Sequence, residues 1–531
     1  PVMYTVTFDS MGGTAIPEQG VLSGNKVTEP GSPTKYGYDF VAWYKDENCT
    51  QKWIFETDTV SGNLTLYALW QVKDATADTY FDYEVQEDGS FAISLKVGQT
   101  SPADLILPSE HDGKSVTAIA ANAFEGQESV KSVLIPDTIK SIGARAFRNC
   151  GSLEQILEAV NVETIGANAF YGTSWDSNLT GGVIYLGKTA YKYAGGMYTD
   201  TEVEIESGTI GIASGAFQDL EKLVSIRLPE GLKTIGTYAF GGVEKGTGIS
   251  EIVIPESVET IEDNAFRNCS SLTDVTIGTG VQNIGASAFA GTAITKLTYN
   301  ANAEVRDNAF AESTAASEII FGDAVKTIPV TVVQNFKGLT SVTLGAAITA
   351  IPASAFDGLS SLATVTCKGT LTSIGSLSFR GTAITSFEIG KEVTSVGGGA
   401  FSNCTQLASV IYNAENAAGT TNLALPFAGC TALKTVTISD SVKSVPAYLF
   451  KDVPVETLTL GANIETIGAE AFSGGAYASV TVGEKVTTIG DGAFGNNETL
   501  ATVTYNAIEQ CSKTHRRSPS ARKSKRSLRI L

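Results

Sequence analysis

The chain has 531 residues, 43% of them hydrophobic and 18% charged, a globular mixture rather than a disordered one. Its 56 acidic against 37 basic residues leave a net charge of -19, which argues against nucleic acid or an anionic membrane surface as the main partner. Two histidines, seven cysteines without a CxxC pair, and no run of 18 apolar residues argue against a histidine-based catalytic or metal centre, a disulfide scaffold, structural zinc and a membrane span.

The chain opens at Pro1 rather than Met, which reads as either a processed chain or a portion cut for expression, with any leader upstream. Residues 1–71 hold Trp43, Trp53 and Trp70, three of the four tryptophans. Alternating runs at 4–8 and 64–70 around a Pro/Gly-rich middle predict a small, mainly β module. The segments Tyr4–Gly13, Tyr38–Tyr44 and Leu64–Trp70 resemble the Listeria–Bacteroides repeat, also called the internalin B-repeat. Met11 stands where that family usually has Asn, and Ala42 where it usually has Gly. The resemblance implies a β-grasp-like module of an exported protein. Residues 72–79 are small and polar and read as a linker. In 80–115, alternating runs flank Glu87-Asp-Gly-Ser90, a hairpin signal. That hairpin is expected to cap the open N-terminal edge of a repeat array.

Residues 116–507 are dominated by a returning Phe, beginning at 124, 147 and 170 and recurring every 20–26 residues to 494, with one double gap of 47. About 17 coils with a period of about 23 result. A clean unit runs from Ile249 through Ile252, Ile254, Val258 and Ile261 to Ala265-Phe266. Its first half alternates like a strand with one buried face; its second half returns. One unit cannot bury its apolar side alone, but stacked units can, which predicts a mainly β solenoid. Segments such as Ser141-Ile-Gly-Ala-Arg-Ala-Phe147 and Thr466-Ile-Gly-Ala-Glu-Ala-Phe472 resemble the leucine-rich repeats of BspA-like microbial surface proteins. That resemblance fixes no ligand residues.

Several features within the array invite functional readings. Gly182-Val-Ile-Tyr-Leu-Gly-Lys-Thr189 matches the phosphate-binding P-loop pattern letter for letter. A P-loop needs a helix after it, yet Gly195-Gly196 follows too soon, so the match reads as coincidence. Cys150, Cys269, Cys404 and Cys430 each sit three residues after a coil Phe, a place for a small buried residue. Cys404 and Cys430 fall in successive coils, where a disulfide is geometrically allowed. Trp175, Tyr185, Tyr191, Tyr193 and Tyr198 crowd the double-length coil; they either cover it or form the candidate ligand patch. Thr276, Thr298, Thr343, Thr366, Thr437, Thr459, Thr481 and Thr504 share one strand position and are expected to form an outward column.

Residues 508–531 carry eight basic residues against Glu509 and read as a disordered tail or a stretch not native to the protein. No catalytic, cofactor or metal constellation stands out. A long repeat face without such a constellation reads as a scaffold and not an enzyme, and the resemblance of both modules to surface-protein families implies an extracellular, cell-surface or secreted adhesin-type protein that recognises host or matrix proteins. A glycan ligand, a glycan-hydrolase accessory role and a structural spacer are the alternatives. A monomer is expected, without nucleic acid, membrane insertion or cofactors.

Overall fold

The structure, a computed structural model, describes residues 2–415, 417–418 and 421–505; the basic tail expected at 508–531 lies outside the described residues. Two units are resolved: Pro1–Gly196 with Thr209–Ala216, and Met197–Gly208 with the described residues from Phe217 onward.

The first unit opens with β1 (Met3–Asp9), β2 (Gln19–Leu22), β3 (Tyr38–Tyr44) and β4 (Leu64–Val72), in sheet order β2-β1-β4-β3. β1 and β4 run parallel, and the outer pairs antiparallel. The alternation places Val6, Phe8, Leu66 and Ala68 on one face, where they pack with Trp43 and Trp53. Phe8 meets Trp43 edge-on at 5.0 Å, the arrangement that aromatic quadrupoles favour. Met11 lies at φ +48, a left-handed conformation that Asn tolerates better. This gives a physical reason for the Asn usual at that place in Listeria–Bacteroides repeats.

The segment after β4 is pinned to the first coil. Thr76 donates its amide to Ile106 O at 2.8 Å, and its hydroxyl accepts from Ile106 N at 3.1 Å. Lys73 pairs with Asp104 at 3.0 Å. The Gly37 turn of the module lies on the outward face of the same strands. A Cβ there would stand 3.0 Å from Leu157 Cδ1 and 3.3 Å from Leu134 Cδ1. The Tyr38 hydroxyl donates to Glu158. Ile106, Leu134 and Leu157 are in register and occupy the position that threonine fills further along the array. The outward face is thus apolar where the module covers it.

The hairpin Phe81–Val85 and Phe91–Leu95 pairs through its second strand with Lys114–Ile119, at the head of a ladder of short strands. From there the chain forms a parallel β-solenoid of about 18 turns with a period near 23 and about 2% helix. Each regular turn contributes a strand of three to five residues, a two-residue strand and a corner carrying Phe. In the second unit, Glu251–Val253, Asp274–Ile277, Lys296–Tyr299, Glu318–Phe321, Ser341–Leu344 and Thr364–Cys367 form one in-register sheet. Val275, Leu297, Ile319 and Val342 point inward and are buried.

The Phe residues form internal stacks. Phe217, Phe240, Phe266, Phe289 and Phe310 follow one another at 5.0–5.3 Å with planes within 13°. That spacing is the inter-strand distance itself, so sheet and stack share one repeat. Residues two before and two after the Phe take positive φ, as at Asn264 and Asn268 around Phe266. This is the reason for the recurring Asn and Gly there. The stack breaks at Phe336, turned 64° from Phe310, where the helix Val330–Val333 replaces a short strand.

Candidate functional site

The aromatic-rich stretch is built on a short helix, Ser174–Ser177, and an antiparallel hairpin, Gly182–Leu186 with Thr189–Ala194. Thr173 caps the helix by accepting from Asp176 N at 3.0 Å. Trp175 lies between Phe170 at 5.1 Å and Tyr191 at 5.2 Å. Tyr191 and Lys192 both donate to Asp176 Oδ1 at 2.8 Å. Burial, and then the Asp176 carboxylate, hold the Tyr191 hydroxyl protonated well beyond the ordinary tyrosine range. Trp175 and Tyr191 are therefore half-buried ties between helix and hairpin. Tyr185 and Tyr193 are also half-buried on the hairpin strands. Tyr198 belongs to the second unit and is 89% exposed.

The P-loop match is this hairpin. Its eight residues enter one strand, turn at Gly187 and enter the next. No helix follows to present amides to a phosphate.

The slot after the coil Phe is buried but more polar than an apolar pocket. The thiols of Cys150, Cys269, Cys404 and Cys430 donate to the carbonyls of Phe124, Phe240, Phe379 and Phe401 in the preceding turns, at 2.9–3.3 Å. Ser313 donates in the same way to Phe289 O at 2.7 Å, and Thr292 to its own Phe289 O at 2.8 Å. Where Cys, Ser or Thr fills the slot it donates to a Phe carbonyl, whereas Leu339 and Leu359 fill it as buried apolar residues.

The outward threonines are in register, with Thr276 beside Thr298, Thr343 beside Thr366, Thr437 beside Thr459 and Thr481 beside Thr504. Ile320, Glu388 and Ile411 interrupt the column. A further feature lies on the short-strand ladder. A groove of about 340 Å³ opens over Gly285, with Glu262, Asp263, Asn283, Glu304 and Arg306 in its lining. One Glu262 oxygen is fixed at 2.8 Å by both the amide and the hydroxyl of Thr237. Sequence reasoning missed this groove. Its signal is the replacement of the usual Ile-Gly glycine by Glu262 and Arg306 on either side of Gly285.

A chain that stacks short parallel strands around internal columns of Leu, Val, Ile and Phe is a repeat scaffold of the leucine-rich-repeat class. The family described as BspA type leucine rich repeat region, in six copies, matches residues 117–199, 184–315, 302–408 and 425–514. The chain belongs to that family. The Listeria–Bacteroides repeat domain matches residues 4–69. A protein of Evansella cellulosilytica whose name carries the words "Gly-rich membrane protein" is 49% identical over 115 residues, 21% of this chain and 12% of its own length. Internalin H of Listeria monocytogenes is 40% identical over 72 residues, 13% of each chain. The chain thus spans about an eighth of the length of these curated relatives. Among solved structures, a leucine-rich repeat protein of Bacteroides ovatus is 22% identical, covering 75% of this chain and 94% of its own, with a TM-score of 0.33. No helix among the described residues is long and apolar enough to cross a membrane.

Proposed function

We propose that the chain is a secreted or cell-surface adhesin-type scaffold that binds a host or matrix protein through its repeat array, without catalysis. The observation that supports this most is the long-strand face of the second unit. It is a registered, solvent-facing sheet with hydroxyl side chains such as Thr298, Thr343 and Thr366. Around Thr343 and Thr366 the neighbouring outward residues are Ser341 and Thr364, so this stretch offers area without charge to desolvate, while Asp274, Lys296 and Glu318 charge the strands before it. Tyr198 of the second unit, 89% exposed, is the proposed aromatic anchor, whereas Trp175, Tyr185, Tyr191 and Tyr193 are half-buried in the first unit. In this reading residues 1–71 are a separate module, 80–115 the cap and 116–507 the binding array. Capture of matrix proteins and of glycans by the full chain tests the proposal. Retention of a protein ligand is expected; retention of glycans alone would replace this reading with a glycan-binding one.

A further inference from the structure

Cys404 and Cys430 occupy the same slot in successive turns, and both are buried. Their corners are joined by the backbone bonds Phe401 N to Pro426 O at 2.8 Å and Asn403 N to Ala428 O at 2.7 Å. Neighbouring corners in such a ladder stand roughly 4.8 Å apart, inside the Cα separation of about 4.4–6.8 Å that a disulfide spans. Cys430 Sγ reaches back to the turn of Cys404, donating to Phe401 O at 3.0 Å. The other two slot cysteines lack this company: Cys150 is followed one turn later by Thr173, and Cys269 by Thr292. The pair also brackets the irregular stretch between Phe401 and Phe427, an interval of 26 where 23 is usual.

We infer that Cys404 and Cys430 are a disulfide pair that closes in an oxidising medium and staples the base of this irregular turn. The closeness of the two side chains holds the Cys404 thiol low and pushes the Cys430 thiol up, so Cys404 ionises first. As the turn folds, the Cys404 thiolate attacks one sulfur of a small-molecule disulfide of the oxidised-glutathione kind and expels a thiolate. Cys430 then gives its proton to solvent and attacks the Cys404 sulfur, expelling the second thiolate. One protein S–S bond forms, two S–H bonds are lost, and the external disulfide is reduced to two thiols. The proposed secreted location only says where the oxidant comes from. The test supplies the oxidant, so the two ideas fail separately.

The full chain is refolded in a glutathione redox buffer and its thiols are titrated in denaturant. The count is expected to fall by two from the seven cysteines of the sequence, and digestion should yield one linked pair, Cys404 with Cys430. Cys404→Ser should abolish the loss. In the wild-type chain the oxidised form should melt a few degrees above the reduced form, and Cys404→Ser/Cys430→Ser should remove that difference. Seven free thiols after oxidation, or linkage through the exposed Cys367 instead, would overturn the inference.

Discussion

Replacing Leu134 by Asp should release the N-terminal module from the array. Leu134 points outward yet is only 6% exposed. The side chains around it are Leu157 and Ile106 on the neighbouring strands and the Gly37 turn of the module. Burying a leucine side chain stabilises by about 1.5–3 kcal/mol. An aspartate there loses that contribution and brings a charge into the contact that also holds Glu158. A loss of about 3 kcal/mol lowers the docked-to-released ratio roughly a hundredfold. Lys73, now paired with Asp104, then becomes available to trypsin. The assay is the rate of tryptic cleavage at Lys73 in the native chain. Thr276→Asp, at the equivalent strand position but on the solvent-facing column, serves as the control. The array core is untouched by either change, so both variants should unfold cooperatively like the parent. Equal cleavage rates in the two variants would refute the docking.

Met11→Asn should raise the stability of the module by about 1 kcal/mol, because Met11 sits at φ +48; chemical denaturation followed by tryptophan fluorescence checks it. Phe289→Ala should cost about 3–5 kcal/mol, with further loss from its stacks on Phe266 and Phe310 at 5.0 Å, measured by urea unfolding. The Tyr38 pKa is pushed up to about 12, first by burial and then by the Glu158 carboxylate. Its folded value exceeds its unfolded value of 10.0, so its contribution is complete below pH 10 and is lost as pH rises to about 12. Melting curves across that window should fall more steeply for the parent than for Tyr38→Phe.

Much of the architecture is readable from the residues because each repeat carries the same pattern. The Phe spacing and the alternation around Val275 or Leu297 give period, strand and buried face together. The corner residues add the turn, since Asn or Gly two residues from many of the Phe marks positive φ, as at Asn264, Asn268 and Gly291. Single exceptions are harder. Ile106, Leu134 and Leu157 look like ordinary strand residues until the module is found on top of them. The hydrogen bonds between Thr76 and Ile106 cannot be foreseen from a small, polar stretch. The groove over Gly285 depends on two departures from the Ile-Gly pattern, which a consensus reading averages away. The aromatic stretch is recognisable as unusual, but only the structure separates Trp175 and Tyr191, which brace a helix against a hairpin, from the exposed Tyr198.

Recognition of a protein by the long-strand face of the second unit is tested most directly by charging that face. Thr298→Glu with Thr343→Glu places two charges there without touching the buried columns behind it. Binding of the full chain to its captured protein ligand should weaken at least tenfold in this variant. Thr260→Glu with Ser373→Glu, on the short-strand ladders, should leave binding unchanged. Undiminished binding by the first variant, or equal loss by both, would contradict the assignment of that face.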